Sequence, residues 1–282
     1  MASFRLAAAV LVAVLCGGRA FAQQRPLVTE DPETIGLGRM LIEAGVDFAR
    51  DQQYPVSGLQ GNLWRIPTVG LSFGLSSIAE LQIDGGLYNR LTVKKRVPAP
   101  LANQLNFTGT TTHDVEDTVI ATKIRILSET GSRPAFGIRF ATKLPNASNE
   151  SGLGLDTTDF SGAILAAKTV QSVRVVGNFG VAILTDPTFA SRQNDVIIYG
   201  VSFARAMTQQ AEVVGELNGR ASTRTGGALP GTENRSLLRF GLRYTEGTVR
   251  FDGGVFFGLT TVDPTIGFTA GLTYVFNAFK VP

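Results

Sequence analysis

Charged side chains recur at every second position within apolar stretches of this chain. In AELQIDGGLY, residues 79–88, the acidic Glu80 and Asp84 alternate with the apolar Leu81 and Ile83. Because successive side chains of a strand point to opposite faces, this stretch has one apolar face and one acidic face. Charges arranged in this way pair with charges on neighbouring strands or line a wall that discriminates solutes by charge.

The polar rows of such stretches carry acidic and basic groups in separate blocks, and opposite charges on neighbouring strands can form ion pairs. We predict that these side chains line one interior, where they either pair and close it or form a polar pore that selects solutes. The residues are Glu43, Asp47, Glu80, Asp84, Lys123, Arg125, Arg139, Lys143, Arg174, Arg205, Glu212, Glu216, Arg239, Arg243 and Arg250. Apolar residues share this face, which would suit amphiphilic or aromatic solutes; they are Val119, Val176, Leu184, Val214 and Phe256.

Catalytic and metal-binding patterns are weak in this sequence. Its single histidine, His113, falls in a long connection, with no serine and histidine paired on a predicted strand face. Residues 152–162, GLGLDTTDFSG, have glycine spacing but open a strand, so no helix follows to bind a phosphate. We therefore expect no enzymatic activity, no metal site and no cofactor.

Twelve alternating runs bounded by turn residues make up most of the chain, which also contains 32 glycines. A strand tilted near 45° needs about 9 to 11 residues to cross the apolar layer of a membrane, and these runs reach that length. The runs cover residues 38–49, 63–74, 79–88, 116–127, 134–144, 159–169, 173–185, 195–206, 210–220, 235–245, 248–258 and 266–276. In the second run the alternation shifts near Trp64, Ile66 and Pro67, which indicates a bulge.

Connections between the runs alternate between short and long. The long ones are residues 50–61, 89–115, 145–158, 186–194 and 221–234, with 259–265 of intermediate length. Short turns at one end and long loops at the other are typical of an outer-membrane up-and-down barrel. A soluble sandwich, whose Greek-key connections need not alternate, is the other interpretation.

Aromatic residues of the apolar rows favour the membrane barrel because they fall near the two ends of the predicted strands, where membrane interfaces place them. Near the short turns lie Phe73, Phe136, Phe203, Tyr244, Phe251, Tyr274 and Phe276. Near the long loops lie Phe48, Phe160, Phe257 and Phe268. The apolar rows are therefore expected to contact lipid and the charged rows to face the lumen.

The N-terminus predicts export. Residues 1–22 have a basic start, an apolar run and the small-residue ending Ala20-Phe21-Ala22, which is typical of a secretory signal peptide. Removing it takes away the only cysteine and two arginines, leaving 24 basic against 23 acidic residues, so nucleic acid is not an expected partner. We predict an extended periplasmic segment at 23–36 and a barrel at 37–282, in a Gram-negative outer membrane. Its expected partners are outer-membrane lipid, a small-molecule solute and the barrel-assembly machinery.

The start of the mature chain is its most distinctive part. RPLVTEDPETIGLGRMLIEAGVDFARD places Pro26, Leu27, Thr29 and Asp31 ahead of a glycine-containing approach to the first strand. This segment, together with EDTVIATKIRIL and FATKLPNASNESGLG, resembles the exported proteins of the MetA pathway of phenol degradation family. The resemblance covers most of the mature chain and implies an outer-membrane barrel that acts as a transporter, with aromatic compounds as candidate solutes.

Together these patterns predict an all-β protein, a transmembrane antiparallel barrel of about twelve strands that passes small solutes by a passive or gated route. The alternative is a non-transporting structural or adhesion barrel whose lumen is closed by paired charges. The sequence leaves open whether residues 23–36 enter the barrel.

Overall fold

The computed structural model describes residues 25–189 and 191–280, so the expected signal peptide lies outside the described residues. Apart from one short 3-10 turn, Ala102–Gln104, the regular structure of this part is all β. The strands are β1 (Arg39–Tyr54), β2 (Leu59–Gly74), β3 (Ala79–Gly86), β4 (Asn89–Arg96), β5 (Thr111–Asp114), β6 (Val119–Leu127), β7 (Ala135–Lys143), β8 (Asp159–Val170), β9 (Val173–Thr185), β10 (Gln193–Ala206), β11 (Ala211–Ser222), β12 (Arg235–Glu246), β13 (Val249–Gly258) and β14 (Ile266–Asn277).

The strands form one antiparallel sheet that closes on itself, because β1 pairs with both β2 and β14. Both β3 and β4 pair along β2, so together they make one interrupted barrel strand. β5 and β6 make the next, since β5 pairs with β4 and β6 with β3. The described chain is thus a closed barrel of twelve strands, which confirms the predicted fold.

The two faces of the wall are inverted relative to a water-soluble protein. Outward side chains such as Phe179, 61% exposed, and Phe240, 44% exposed, are apolar, whereas the inward Glu80 and Lys123 have no exposed surface. A barrel that crosses lipid requires this arrangement, because its lipid-facing band must be apolar while its interior can be polar. No helix in the described part of the chain is both long enough and apolar enough to cross a membrane.

Aromatic rings cluster on the outward face at both ends. Phe48, Trp64 and Phe268 from β1, β2 and β14 have ring centroids 4.8 to 5.8 Å apart near the long-loop end. Tyr274 and Phe276 stack at 5.1 Å near the opposite end. Aromatic girdles of this kind mark the interfaces of a membrane with water.

Two boundaries differ from the predictions. The expected loop at 50–61 is mostly strand, because β1 and β2 continue as a paired hairpin with a turn at residues 55–58. Part of the expected 89–115 loop pairs as β4 and β5. In β2 the predicted bulge is confirmed: Thr68 pairs with Gly45 and Arg65 with Asp47, so two residues of β2 oppose one of β1.

Long loops fold inward over one end of the barrel. Leu59 and Leu91 are buried there, packed against Leu105 and Leu153 from the two longest connections. Backbone hydrogen bonds join these loops to each other and to the β1–β2 turn, such as Asn106 N to Glu150 O at 2.9 Å. We call this end, extracellular by the length of its loops, the loop end.

Candidate functional site

Residues 25–38, here called the N-terminal segment, lie inside the barrel rather than extending into the periplasm. The segment bonds to side chains from strands all round the wall. Val28, for example, bonds to a residue 188 positions away. A lumen filled in this way places the chain's own backbone where a solute would pass.

Arg25 holds the start of the segment against the wall. Its guanidinium donates to Thr68 Oγ1 at 2.9 Å and to Thr269 Oγ1 at 2.8 Å. The carboxylates of Asp47 and Asp252 lie 3.7 and 3.5 Å away. One side chain thus connects the segment to four strands.

The middle of the segment is held through its backbone. Glu216 Oε2 accepts hydrogen bonds from the backbone N–H groups of Val28, at 2.8 Å, and Thr29. The side-chain amide of Asn178 pairs with the backbone of Glu30 twice, accepting from its N–H and donating to its carbonyl oxygen, both at 2.7 Å. These contacts satisfy backbone groups that would otherwise be unpaired inside the barrel.

A buried charge cluster lies beside this contact. The Glu30 carboxylate is 3.3 Å from Lys123 Nζ and 3.0 Å from Arg139 Nε. Lys123 also pairs with Glu80 at 3.0 Å, and the other oxygen of Glu80 accepts from Ile35 N at 2.8 Å. Removing one partner of such a buried network leaves a charge uncompensated, so the network specifies where the segment sits.

Ion pairs also hold the segment near the short-turn end, where Arg125 pairs with Glu33. Arg174 bridges Asp31 and, at 2.9 Å, Glu129 in the turn between β6 and β7. Burial alone would raise the pKa of Glu129, but hydrogen bonds from Thr169 and Arg174 outweigh it and hold that pKa below its ordinary value. The ionised form of Glu129 is therefore part of the closed arrangement.

Of the charged residues predicted to face the lumen, all but Arg205 lie on inward rows of their strands, and their role in selecting solutes stays a prediction. Arg205 is a correction. It lies on the same face as Val201 and Phe203 and pairs in register with the outward Val173 and Val213, near the end of β10. Because β10 alternates without a bulge up to this point, Arg205 faces outward, where a long side chain reaches the interface.

Sequence reasoning missed several residues of the lumen. Arg65, which pairs with Asp47 at 3.0 Å, was hidden by the bulge that shifts the alternation of β2. Arg235 is the first residue of its predicted run and Arg220 the last of its own, so both lie at strand ends, where the alternation gives the weakest signal. No alternation marks the acids of the N-terminal segment, since they do not belong to a strand.

The N-terminal segment lines two cavities in the lumen. One of 450 Å³ extends toward the loop end, and another of 380 Å³ lies between the segment and the β1–β3 wall. Both are lined by Glu30, Asp47 and Arg139. A third of 220 Å³ lies under the folded loops and shares Arg220 and Arg235 with the first. The lumen therefore contains adjoining chambers, two of which are lined in part by the N-terminal segment.

Solved structures with this fold are outer-membrane proteins. The COG4313 outer membrane channel from Pseudomonas putida F1 is similar with a TM-score of 0.63 at 11% identity, over 87% of this chain and 98% of that one. The KdgM porin in complex with disordered oligogalacturonate has a TM-score of 0.50 at 9% identity, over 84% and 99%. The NanC porin has a TM-score of 0.50 at 8% identity, over 86% and 100%. At these identities the likeness shows the fold, an outer-membrane β-barrel.

No family model matches the sequence, and no curated protein matches it.

Proposed function

We propose that this outer-membrane barrel passes small amphiphilic solutes through its lumen, and that the N-terminal segment is the gate. The observation that carries the proposal is the segment itself, which lines both the 450 and the 380 Å³ chamber inside the barrel and is held there by hydrogen bonds and ion pairs. These contacts join the segment to side chains of the wall and not to its strand ladder, so release of the segment leaves the backbone pairing of the barrel intact.

The lining supports an amphiphilic solute. The larger chamber has apolar residues such as Leu63, Leu165 and Phe256 beside the charged Arg139 and Arg239. A site of this kind surrounds an apolar body while a few polar groups orient it. The resemblance to the MetA pathway of phenol degradation family adds support for aromatic compounds within this class. Insertion by the barrel-assembly machinery is a further part of the proposal, based on the barrel pattern.

Direct selection of solutes by charge is proposed for the inward residues that face open space. Asp84, whose side chain is 41% exposed, and Arg139, at 19%, are accessible from the chambers. Glu80 and Lys123 have no exposed surface, so we assign them to holding the segment.

A disulfide between the segment and the wall tests the gate. A Cβ built at Gly200 lies 3.5 Å from the Cβ of Thr29, within the range of about 3.5 to 4.5 Å that disulfides need. The only cysteine of the sequence, Cys16, lies in the expected signal peptide, so no other thiol competes. The variant is Thr29→Cys/Gly200→Cys, with each single cysteine variant as a matched control.

Single-channel conductance in a planar bilayer is measured before and after reduction with dithiothreitol. We expect few open events in the oxidised double variant and a return of open events on reduction, with no redox effect in the single variants. Equal conductance of the oxidised and reduced double variant would contradict gating by the segment.

The alternative, a closed structural barrel, is favoured by one observation, the extensive pairing of lumen charges around Glu30 and Lys123. The same experiment separates the two functions. If the wild-type chain and the reduced double variant are both folded and neither conducts, the closed barrel is supported.

A further inference from the structure

We propose that Arg220 and Arg235 form an anion-binding site in the lumen, which takes the carboxylate of an amphiphilic solute whose apolar body packs on the neighbouring wall. This inference rests on the proposed passage of solutes and names their chemical class. Three observations support it: the register of β11 against β12, the hydrogen-bond and ion-pair partners of the two guanidinium groups, and the position of both groups in the lining of two chambers.

The register places like charges directly opposite each other. Arg220 on β11 pairs with Arg235 on β12, both on the inward face. Directly opposed like charges on neighbouring strands destabilise a sheet unless something else compensates them. We therefore expect a bound anion to compensate the repulsion between these two arginines.

The rest of the same strand pair shows the contrast. Glu216 stands opposite Arg239 and Glu212 opposite Arg243, so two inward levels match acid with base. Their charged groups are 3.4 and 3.7 Å apart. Charge complementarity therefore holds along this pair of strands until the arginine pair at its loop end.

Partners within the protein compensate this positive charge only in part, since Asp117 and Asp159, which line the same 220 Å³ cavity, form their ion pairs with Lys143. Arg220 donates to the backbone carbonyl oxygens of Glu233, at 2.9 Å, and Gly231, at 2.8 Å, and forms no ion pair with a carboxylate of the described residues. Arg235 forms one ion pair with a carboxylate of the described residues, Asp263 at 3.7 Å, whose other oxygen already accepts hydrogen bonds from Ser236 N and Thr260 Oγ1. Both guanidinium groups are thus fixed in place by carbonyl oxygens or by this one acid.

The pair also lies on the route between chambers. Arg220 and Arg235 line both the 220 Å³ cavity under the folded loops and the 450 Å³ cavity beyond it. A solute that enters from the loop end would meet the two guanidinium groups before it reaches the N-terminal segment. Guanidinium groups favour carboxylates because their N–H groups match two carboxylate oxygens.

An apolar wall next to the arginine pair defines the rest of the solute. Leu237, two residues from Arg235, lines the larger chamber with Leu63 and Phe256. A chamber of 450 Å³ falls in the range of about 300 to 1,000 Å³ that is usual for small-molecule sites. A simple inorganic anion would leave this surface unused, so the geometry favours an aromatic or short-chain carboxylic acid.

Two probes with the same apolar body test the assignment, 3-phenylpropanoate and the uncharged 3-phenyl-1-propanol. Binding of each to the detergent-purified full chain is measured by titration calorimetry. We expect wild type to bind the acid about tenfold or more tightly than the alcohol, the effect of charge-assisted hydrogen bonds. In Arg220→Gln/Arg235→Gln the affinity for the acid should fall to that for the alcohol, whose own affinity is unchanged.

Matched variants distinguish binding at Arg220 and Arg235 from a general effect of the positive charge of the protein. Arg133→Gln removes an exposed arginine from the turn between β6 and β7 and should change neither affinity. Arg220→Lys/Arg235→Lys keeps the charge but not the planar fork, and should retain only part of the preference for the acid. Heat-modifiable gel mobility verifies that every variant is folded.

Equal affinity of wild type for the two probes would overturn the proposal, as would a preference for the acid that survives in the folded glutamine double variant. Absence of binding by wild type would also overturn it. Uptake of both probes by proteoliposomes without discrimination would leave the proposed passage intact and overturn the anion site alone. Selective binding of the acid without any uptake would support the site and contradict the proposed passage.

Discussion

Gly45 and Gly271 stand directly opposite each other on β1 and β14, and the guanidinium group of Arg25 lies across both of them. A Cβ atom at either glycine would overlap this guanidinium. The pair therefore forms a flat patch of backbone on the inner wall that only glycine provides at this distance. Arg25, the first described residue of the N-terminal segment, packs against this patch.

Filling this patch should weaken the gate. In Gly45→Val the new side chain would displace Arg25 from Thr68 and Thr269, while valine itself suits a strand. We expect a several-fold rise in the fraction of time that single channels are open.

Gly177→Val is the matched control for this change, because a Cβ there meets no atom within 4 Å. Its open fraction should equal that of wild type. A Gly45→Val channel that is as closed as wild type would show that Arg25 does not hold the gate.

Asn178 is expected to hold the middle of the segment. Asn178→Ala removes both hydrogen bonds to the Glu30 backbone, which should weaken the closed state by about 1 to 3 kcal/mol. The readout is the labelling rate of a Thr29→Cys reporter by a water-soluble maleimide, since Thr29 is buried in the closed state. We expect the rate to rise about tenfold or more.

Asn234→Ala, which removes one hydrogen bond in a loop, should leave the labelling rate unchanged. If the Thr29→Cys reporter is still labelled slowly in the Asn178→Ala variant, the hydrogen bonds to the Glu30 backbone do not limit release of the N-terminal segment.

Acid should loosen the contact of Arg174 with Glu129. Because the pKa of Glu129 is lowered in the folded chain, its ionised form stabilises the fold. That contribution is complete above the ordinary glutamate pKa of about 4.3 and is lost as the pH falls through the lower folded value. We expect the thermal unfolding temperature to fall below about pH 4, measured by circular dichroism.

In Glu129→Gln the unfolding temperature at pH 7 should be lower and its dependence on acid pH weaker than in wild type. A Glu150→Gln variant, in a loop at the other end, is the control and should keep the wild-type profile. An identical acid profile in Glu129→Gln would contradict this role.

Lys123 should be the largest single contributor to stability in the charge cluster. Lys123→Met leaves the buried carboxylates of Glu30 and Glu80 without their shared cation, which should cost about 3 to 5 kcal/mol in the free energy of unfolding. Urea unfolding in detergent micelles measures this loss.

Adding Glu80→Gln to Lys123→Met should recover part of the loss, because one of the two uncompensated charges is removed. Strictly additive effects of the two substitutions would mean that Lys123 and Glu80 do not interact as the 3.0 Å contact indicates.

The alternation of side chains was enough to predict the barrel, because a period of two assigns each residue of a regular strand to one face. The twelve strands, the apolar outer surface and most inward charges follow from that rule. The rule failed where the strand was irregular, as at Arg65 beside the bulge of β2. At Arg205 the rule holds and the prediction departed from it, because Arg205 lies on the same row as Val201 and Phe203.

The tertiary structure alone decided where the N-terminal segment lies and which inward charges meet. Whether Arg220 opposes Arg235 depends on the register of β11 against β12, and Val28 reaches Glu216 across 188 positions of the chain. Local sequence determines which face a side chain occupies, because alternation acts between neighbouring residues. Contacts between distant residues depend instead on closure of the sheet and on hydrogen bonds that form only after it has closed.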